Sequence, residues 1–501
     1  MSVAVSSRID SRRAAAIAVR PLAIGALVIA HFLFLAIFFA PAISTPDANG
    51  YLAQARLIAR ELTTEIVAES PAQYVGDHWM RVREGHYFGQ YPPGLPALLA
   101  VVFRLLGPYA ALWVIPVMGS LALLGLYLVV REWVGARWAL LAAAIMAVNP
   151  YSNAHALGAD SHTAVCFFLI WALYALVRWD HSRGAGWGAL AGLCLGIIPT
   201  IRYPETLFLI PFALYVLTSV PRDARFWRSL VAATVAASVP LVSLAIRNQI
   251  AFGAFWKTGY SISGEQTGFG LRYFVLHAVP YLFLLLTHGL LLAFPAGILG
   301  MAELCNRPDT ARRGRLLVGL VLPITLLYMA YYWHADSKST RFLLPTLAMY
   351  TIAAVWLLKI WSESAPAWSR KWTKILMGTT LAWGLPISIF MLSHLKGDNR
   401  QLAEVTAAIE RHVEPGSVLI SQRGLLQHLD FIGQWRLAAE EALDHPARPS
   451  RPIGPDSESG PPRFEELRDS ISPRERTRAF RDEIGRWAGE SPGRPVYWLT
   501  S

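Results

Sequence analysis

The sequence predicts an all-α polytopic membrane protein with a small C-terminal α/β unit, and three observations carry that expectation. Of its 501 residues 54% are hydrophobic and only 16% are charged, whereas soluble domains carry roughly 25% charged residues. The mean hydropathy is +0.38. Apolar residues are gathered into runs near the ~20 residues that cross a bilayer. Together these exclude a soluble enzyme, a disordered chain and a collagen-like fibre. The net charge of +11 is dispersed in short clusters between apolar runs, so it reads as membrane topology and not as a nucleic-acid face. Cys166, Cys194 and Cys305 lie in or beside apolar segments without metal-ligand spacing, so neither a disulfide framework nor a zinc site is expected.

Residues 1–20 contain Arg8, Arg12, Arg13 and Arg20 and read as cytoplasmic. The apolar run from 21 to 42 reads as a signal peptide or a retained anchor; it outruns the ~7–15-residue signal core and favours the anchor. Further spans are expected near 109–130, 138–150, 161–178, 186–201, 204–220, 229–246, 275–301, 316–333, 343–360 and 375–393, about eleven in all. Alternate connections hold the basic excess: Arg131 and Arg137; Arg178 and Arg183; Arg222, Arg225 and Arg228; Arg307, Arg312, Arg313 and Arg315; Arg370, Lys371 and Lys374. By the positive-inside rule these connections are cytoplasmic, which makes 21–393 a membrane core of a cytoplasmic membrane and 394–501 an extracytoplasmic tail.

The first outer loop, 43–108, is too long to be a mere connection. Tyr51, Ala55, Ile58, Leu62 and Ile66 recur at near-helical spacing, and a second apolar stretch, Leu95 to Leu106, follows Pro92-Pro93-Gly94. Both fit amphipathic helices lying along the membrane surface. In the tail, Asp398 is positioned to cap a helix ending near His412, Ser417–Ser421 reads as a strand, 463–489 as a helix broken or kinked at Pro473, and Val496–Thr500 as a closing strand.

Candidate functional residues cluster on the outer face. Asp47, in Pro46-Asp47, opens the first surface helix, where it serves as an N-cap, a functional carboxylate or both. Asp160 lies between the third and fourth spans; it either caps the fourth or, with His155 and His162, forms part of a substrate or metal site. Arg202, Arg247, Lys257, Arg272, Lys338 and Arg341 sit at outer span ends, where the charge rule expects few cations. Such a set can grip a lipid phosphate, with some members snorkelling to headgroups instead. Trp79, Tyr87, Tyr91, Trp256, Tyr260, Tyr332 and Trp333 either stack on a sugar ring or form an interfacial belt.

These residues resemble the membrane glycosyltransferases of the GT-C fold, within them the bacterial protein O-mannosyltransferase and aminoarabinose-transferase-like branch. The resemblance rests on Pro46-Asp47 with Tyr51, on Tyr91-Pro92-Pro93-Gly94-Leu95-Pro96-Ala97-Leu98, on Asn149-Pro150 with Asp160, and on Arg341-Phe342-Leu343-Leu344-Pro345; it covers about 20–395. It implies Asp47 as catalytic base and Asp160 as a second carboxylate supporting the acceptor site or a metal, with Mg or Mn as the divalent cation. Tyr51, Tyr91, His155, His162 and Tyr260 become substrate-binding candidates. Tyr91 stands where many relatives place a donor-contacting Lys before Pro-Pro, leaving the phosphate to Lys257, Arg272 or Lys338.

The implied reaction is inverting transfer of a sugar from a polyprenyl-phosphate donor to a hydroxyl of a protein, lipid or polysaccharide acceptor. A phosphate leaving group needs cations rather than a strong acid, and the acceptor needs one base. Membrane lipid is the expected surroundings and nucleic acid is not a partner. The alternatives are a transporter or flippase of a lipid-linked or small anionic substrate, for which repeat symmetry is expected, and a non-catalytic lipid-binding or assembly protein.

Overall fold

A computed structural model describes residues 22–43, 45–220, 222–333, 335, 339–364, 367–439, 473–489 and 495–499. Helix α1, Leu22–Phe38, leads into α2, Pro46–Glu61, then three strands, β1 Glu65–Val67, β2 Trp79–Arg83 and β3 His86–Gly89, and α3, Gly94–Leu106. The helices of the bundle follow: α4 Val114–Trp133, α5 Ala136–Ala147, α6 Pro150–Leu157, α7 Ser161–Ser182, α8 Ala185–Ile201, α9 Leu209–Leu217 and α10 Ala224–Phe252. After them come α11 Leu271–Leu284, α12 Ala293–Asn306, α13 Ala311–Met329, α14 Leu344–Ser364 and α15 Ala367–His412. The chain closes with β4 Val418–Ser421, α16 Arg423–Ile432, β5 Arg436–Ala439, α17 Pro473–Gly489 and β6 Val496–Trp498.

Six helical stretches among the described residues are long and apolar enough to cross a membrane. The expected count near eleven treats several shorter helices as whole spans. Where one was expected near 138–150, Asn149 caps a new helix with Pro150 at its first position, so α5 is 12 residues long, about 18 Å at 1.5 Å per residue. The expected span 275–301 is likewise broken: α11 runs into a π-helical turn, Leu285–Gly289, and α12 restarts at Ala293. Leu291, with φ of 50°, makes the corner.

Where lipid surrounds a bundle, small residues let helices approach closely. Gly188, Gly192 and Gly196, one turn apart on α8, lie against the Ser229, Ala233 and Ala237 carbonyls of α10; a Cβ on Gly192 would stand 2.0 Å from the Ala233 oxygen. Gly297 and Gly300 meet Tyr350 and Ala353 in the same way between α12 and α14. Residues expected at inner span ends meet each other: Arg178 with Glu132 at 3.6 Å, Arg312 with Asp180 at 3.3 Å, and Arg313 over the Trp133 ring.

The first loop departs from the expectation of surface helices alone. Helices α2 and α3 are present, but between them β1, β3 and β2 form an antiparallel sheet in that order. Trp79 and Tyr87 are buried there with Leu57 and Val75, so neither belongs to a belt, whereas Trp256 and Trp333 are exposed. Asp398 caps nothing: α15 runs unbroken for 46 residues from Ala367 to His412, so the boundary expected at 394 falls inside one helix. The strand expected at 417–421 is β4; with β5 and β6 it forms a parallel sheet ordered β5-β4-β6. Helix α17 starts at Pro473, and the rest of the 463–489 expectation lies outside the described residues.

Gly192→Leu is expected to force α8 and α10 apart and destabilise the protein by about 1–3 kcal/mol, seen as a lower melting temperature in detergent. Gly378→Ala, inside α15 with open space around it, should not lower the melting temperature and should raise it slightly, since Ala favours a helix over Gly by roughly 0.5–1 kcal/mol. Equal effects would contradict close packing through Gly192.

Candidate active site

Asp47 lies in the first turn of α2, behind Pro46, and does not cap it. Thr45 does, its hydroxyl accepting from the Ala48 N–H. The Asp47 carboxylate is therefore free to bind other elements, and three reach it. Arg341 Nη2 lies 2.8 Å from Oδ2, while His78 Nε2 and the donating Tyr91 hydroxyl lie 3.0 and 2.6 Å from Oδ1. Burial alone would raise the carboxyl pKa, but the His78 hydrogen bond and charge, the Arg341 guanidinium and the Tyr91 hydroxyl outweigh it, holding Asp47 well below the ordinary carboxylate range. It is an anion at neutral pH, with 26% of its side chain still open to solvent.

A second cluster adjoins the first. Tyr91 stacks on Tyr51 at 4.5 Å, and the Tyr51 hydroxyl donates to Ser161 Oγ at 2.9 Å. Arg202 Nη1 donates to the same oxygen, Nη2 to the Tyr328 hydroxyl, and Nε to Glu205 Oε1 at 2.7 Å. Phe342, next to Arg341, stacks on Tyr328 at 4.7 Å. Tyr260 packs 6.1 Å from Tyr91. The turn Ser339–Leu343 thus carries both the cation on Asp47 and the ring that walls the Arg202 cluster.

Residues 90–246 match the family model described as dolichyl-phosphate-mannose-protein mannosyltransferase. The structure is similar to ArnT from Cupriavidus metallidurans bound to undecaprenyl phosphate, with a TM-score of 0.57, 13% identity, and coverage of 83% of this chain and 85% of that one. The apo form of ArnT gives 0.55, 14%, 85% and 86%. The apo oligosaccharyltransferase of Archaeoglobus fulgidus gives 0.56 and 12% over 83% of this chain. The chain has the GT-C fold. It spans 64% of the length of that archaeal oligosaccharyltransferase. No curated protein sequence matches it significantly.

On this GT-C frame the expected residues divide. Asp47, Tyr51, Tyr91, Tyr260, Arg202 and Arg341 come together. Arg247 instead donates to the Gly89 carbonyl and lies over Phe252, which ties α10 to the loop sheet. Arg272 is exposed at the start of α11 and Lys257 is half-buried, while Lys338 lies outside the described residues. Asp160 does cap α7, one oxygen accepting from the His162 N–H and the other bound to His155 Nδ1. The metal expectation for Asp160, His155 and His162 does not fit this arrangement: both carboxylate oxygens are engaged, and among the described residues no three His, Cys, Asp or Glu side chains converge on a cation position. No step through Mg or Mn follows from these residues.

Sequence reasoning missed His78, Glu205 and Tyr328. His78 sits among polar loop residues with no spacing signal. Glu205 is fully buried against Arg202, three residues away, a partner visible in Arg202-Tyr203-Pro204-Glu205 once burial is known.

The segment leading into α2 is anchored by His428 Nδ1, which accepts from the Ile43 N–H at 3.3 Å. Burial pushes the His428 pKa down from 6.5 to about 4. As pH falls through that window the unfolded chain takes up a proton that the folded one refuses, so stability present above about 6.5 is lost progressively towards 4. The drop in melting temperature between pH 7 and pH 4.5 should therefore shrink in His428→Asn. An undiminished drop would show that His428 does not carry it.

Proposed function

We propose that this protein is an inverting glycosyltransferase that moves a sugar from a polyprenyl-phosphate donor to an acceptor hydroxyl at the Asp47 face. The single observation that carries the reading is the partly open Asp47 carboxylate paired to Arg341 beside a wall of tyrosines. The ArnT structure to which this one is similar holds undecaprenyl phosphate, which supports a donor of that chemical class. A polyprenyl phosphate departs as an anion, so the site must supply cations where that charge develops.

Arg341 would serve the departing phosphate and Asp47 the acceptor hydroxyl, and their contact links the two tasks. Held by His78, Arg341 and Tyr91 together, Asp47 is too weak a base to take a proton. A phosphate anion entering beside Arg341 competes for the guanidinium, and Asp47 then loses a neighbouring positive charge and gains proton affinity. The acceptor oxygen bonds to the anomeric carbon as the carbon–oxygen bond to phosphate breaks. The hydroxyl proton passes to Asp47, and the electron pair leaves on the phosphate. One displacement inverts the anomeric centre, whereas retention would need a second carboxylate acting as nucleophile. Arg202, neutralised by Glu205 and locked by Tyr328, would shape the wall instead of binding phosphate.

Two substitutions separate these roles in transfer assays with labelled polyprenyl-phosphate sugars. Asp47→Asn should lower kcat by about 10²–10⁴-fold in a chain that still folds at the assay temperature, with a lower melting temperature because Arg341 and His78 lose the charge they pair with. Arg341→Gln should also raise the donor KM, since it removes a bidentate phosphate contact. A well-folded wild type that transfers no sugar from any such donor would overturn the reading and bring transport assays forward.

A further inference from the structure

The C-terminal sheet unit is built around the first loop. Ala72 of that loop lies in the hydrophobic cluster of Val418, Ile420, Phe480 and Trp487, so the loop completes the unit's core. Gln73 bridges Ala438, and the Tyr74 N–H donates to the Leu437 carbonyl at 2.6 Å, adding the loop to the edge of β5. This strap ends at Asp77, which receives Arg423 of α16 at 2.6 Å. The next residue is His78, whose imidazole meets Asp47.

The same helix holds the other side. Asn49, two residues beyond Asp47, donates to the Gln427 carbonyl at 2.8 Å and to Asp430 Oδ2 at 3.1 Å. Asp430 also pairs with Arg56, further along α2, at 3.2 Å. Strap and helix touch where Gly76 passes Asn49 with no room for a Cβ. Helix α16 therefore grips α2 next to Asp47 and the strap next to His78, and α15, about 69 Å of continuous helix, joins it to the bundle.

We infer that α16 is a positioning element of the site, with Arg423 and Asp430 as positioning residues that set the Asp47–His78 contact from outside it. The inference rests on the transfer reading above. Arg423 and Asp77 are about one-third exposed, and such ion pairs contribute little to global stability. Their loss should therefore register in the chemistry, which is sensitive to displacements near 1 Å, before it registers in folding.

The test uses the full chain with Arg423→Glu, Asp77→Arg and the double variant carrying both. Each single variant is expected to lower kcat about tenfold or more, with the donor KM within about twofold of wild type and the melting temperature unchanged, and the double variant should recover most of the loss. Wild-type rates in the singles, or a double variant as slow as the slower single, would overturn the inference. Hydrogen exchange across 69–79 and 45–62 keeps it separate from the transfer reading. Should the wild type transfer no sugar, faster exchange in both segments of Arg423→Glu still supports positioning by α16, and unchanged exchange refutes it.

Discussion

The carboxylate of Asp47 joins parts of the chain that lie far apart in sequence. It draws together the start of α2, His78 just beyond the strap, Tyr91 before Pro92-Pro93, and the turn carrying Arg341. Because Thr45 takes over the capping of α2, the charge of Asp47 is not consumed locally and can act as this junction. A partly buried anion needs compensation, and two basic side chains and a phenol supply it. The tyrosine stack meets this junction through Tyr91, and the C-terminal unit holds Asn49 and Asp77 beside it.

Two neighbouring ion pairs illustrate how setting changes the part a charge plays. Arg202 and Glu205 neutralise each other three residues apart, are closed off by Tyr328 and Ser161, and so present a rigid wall. Arg341 and Asp47 come from opposite ends of the core, and each retains about a quarter of its surface exposed. The first pair fits architecture. The second fits exchange with an incoming anion, and on it the proposed coupling between donor arrival and base strength depends.

Much of the fold was legible because bilayer crossing imposes a long apolar run and alternating basic connections, both visible in the sequence. Illegible were the breaks at Asn149-Pro150 and Leu285–Gly289, because apolar composition continues through them. The loop sheet was missed because Trp79 and Tyr87 read equally as interfacial aromatics. In the site, Asp47 and Arg341 stood out as charges at outer span ends. His78 did not, since its part comes from the strap's docking on a unit more than 300 residues later, which no local pattern encodes. Arg247 drew attention by the same charge argument and turned out to bind a backbone carbonyl, a partner without a sequence signature.

The most direct measurement is an experimental structure of the protein with polyprenyl phosphate bound, reading the separation between Arg341 and Asp47. Exchange of Arg341 onto the donor puts the guanidinium on phosphate oxygens, opens the 2.8 Å contact, and leaves Asp47 with His78 and Tyr91 facing the acceptor side. Phosphate bound elsewhere with the Arg341–Asp47 contact intact would contradict it.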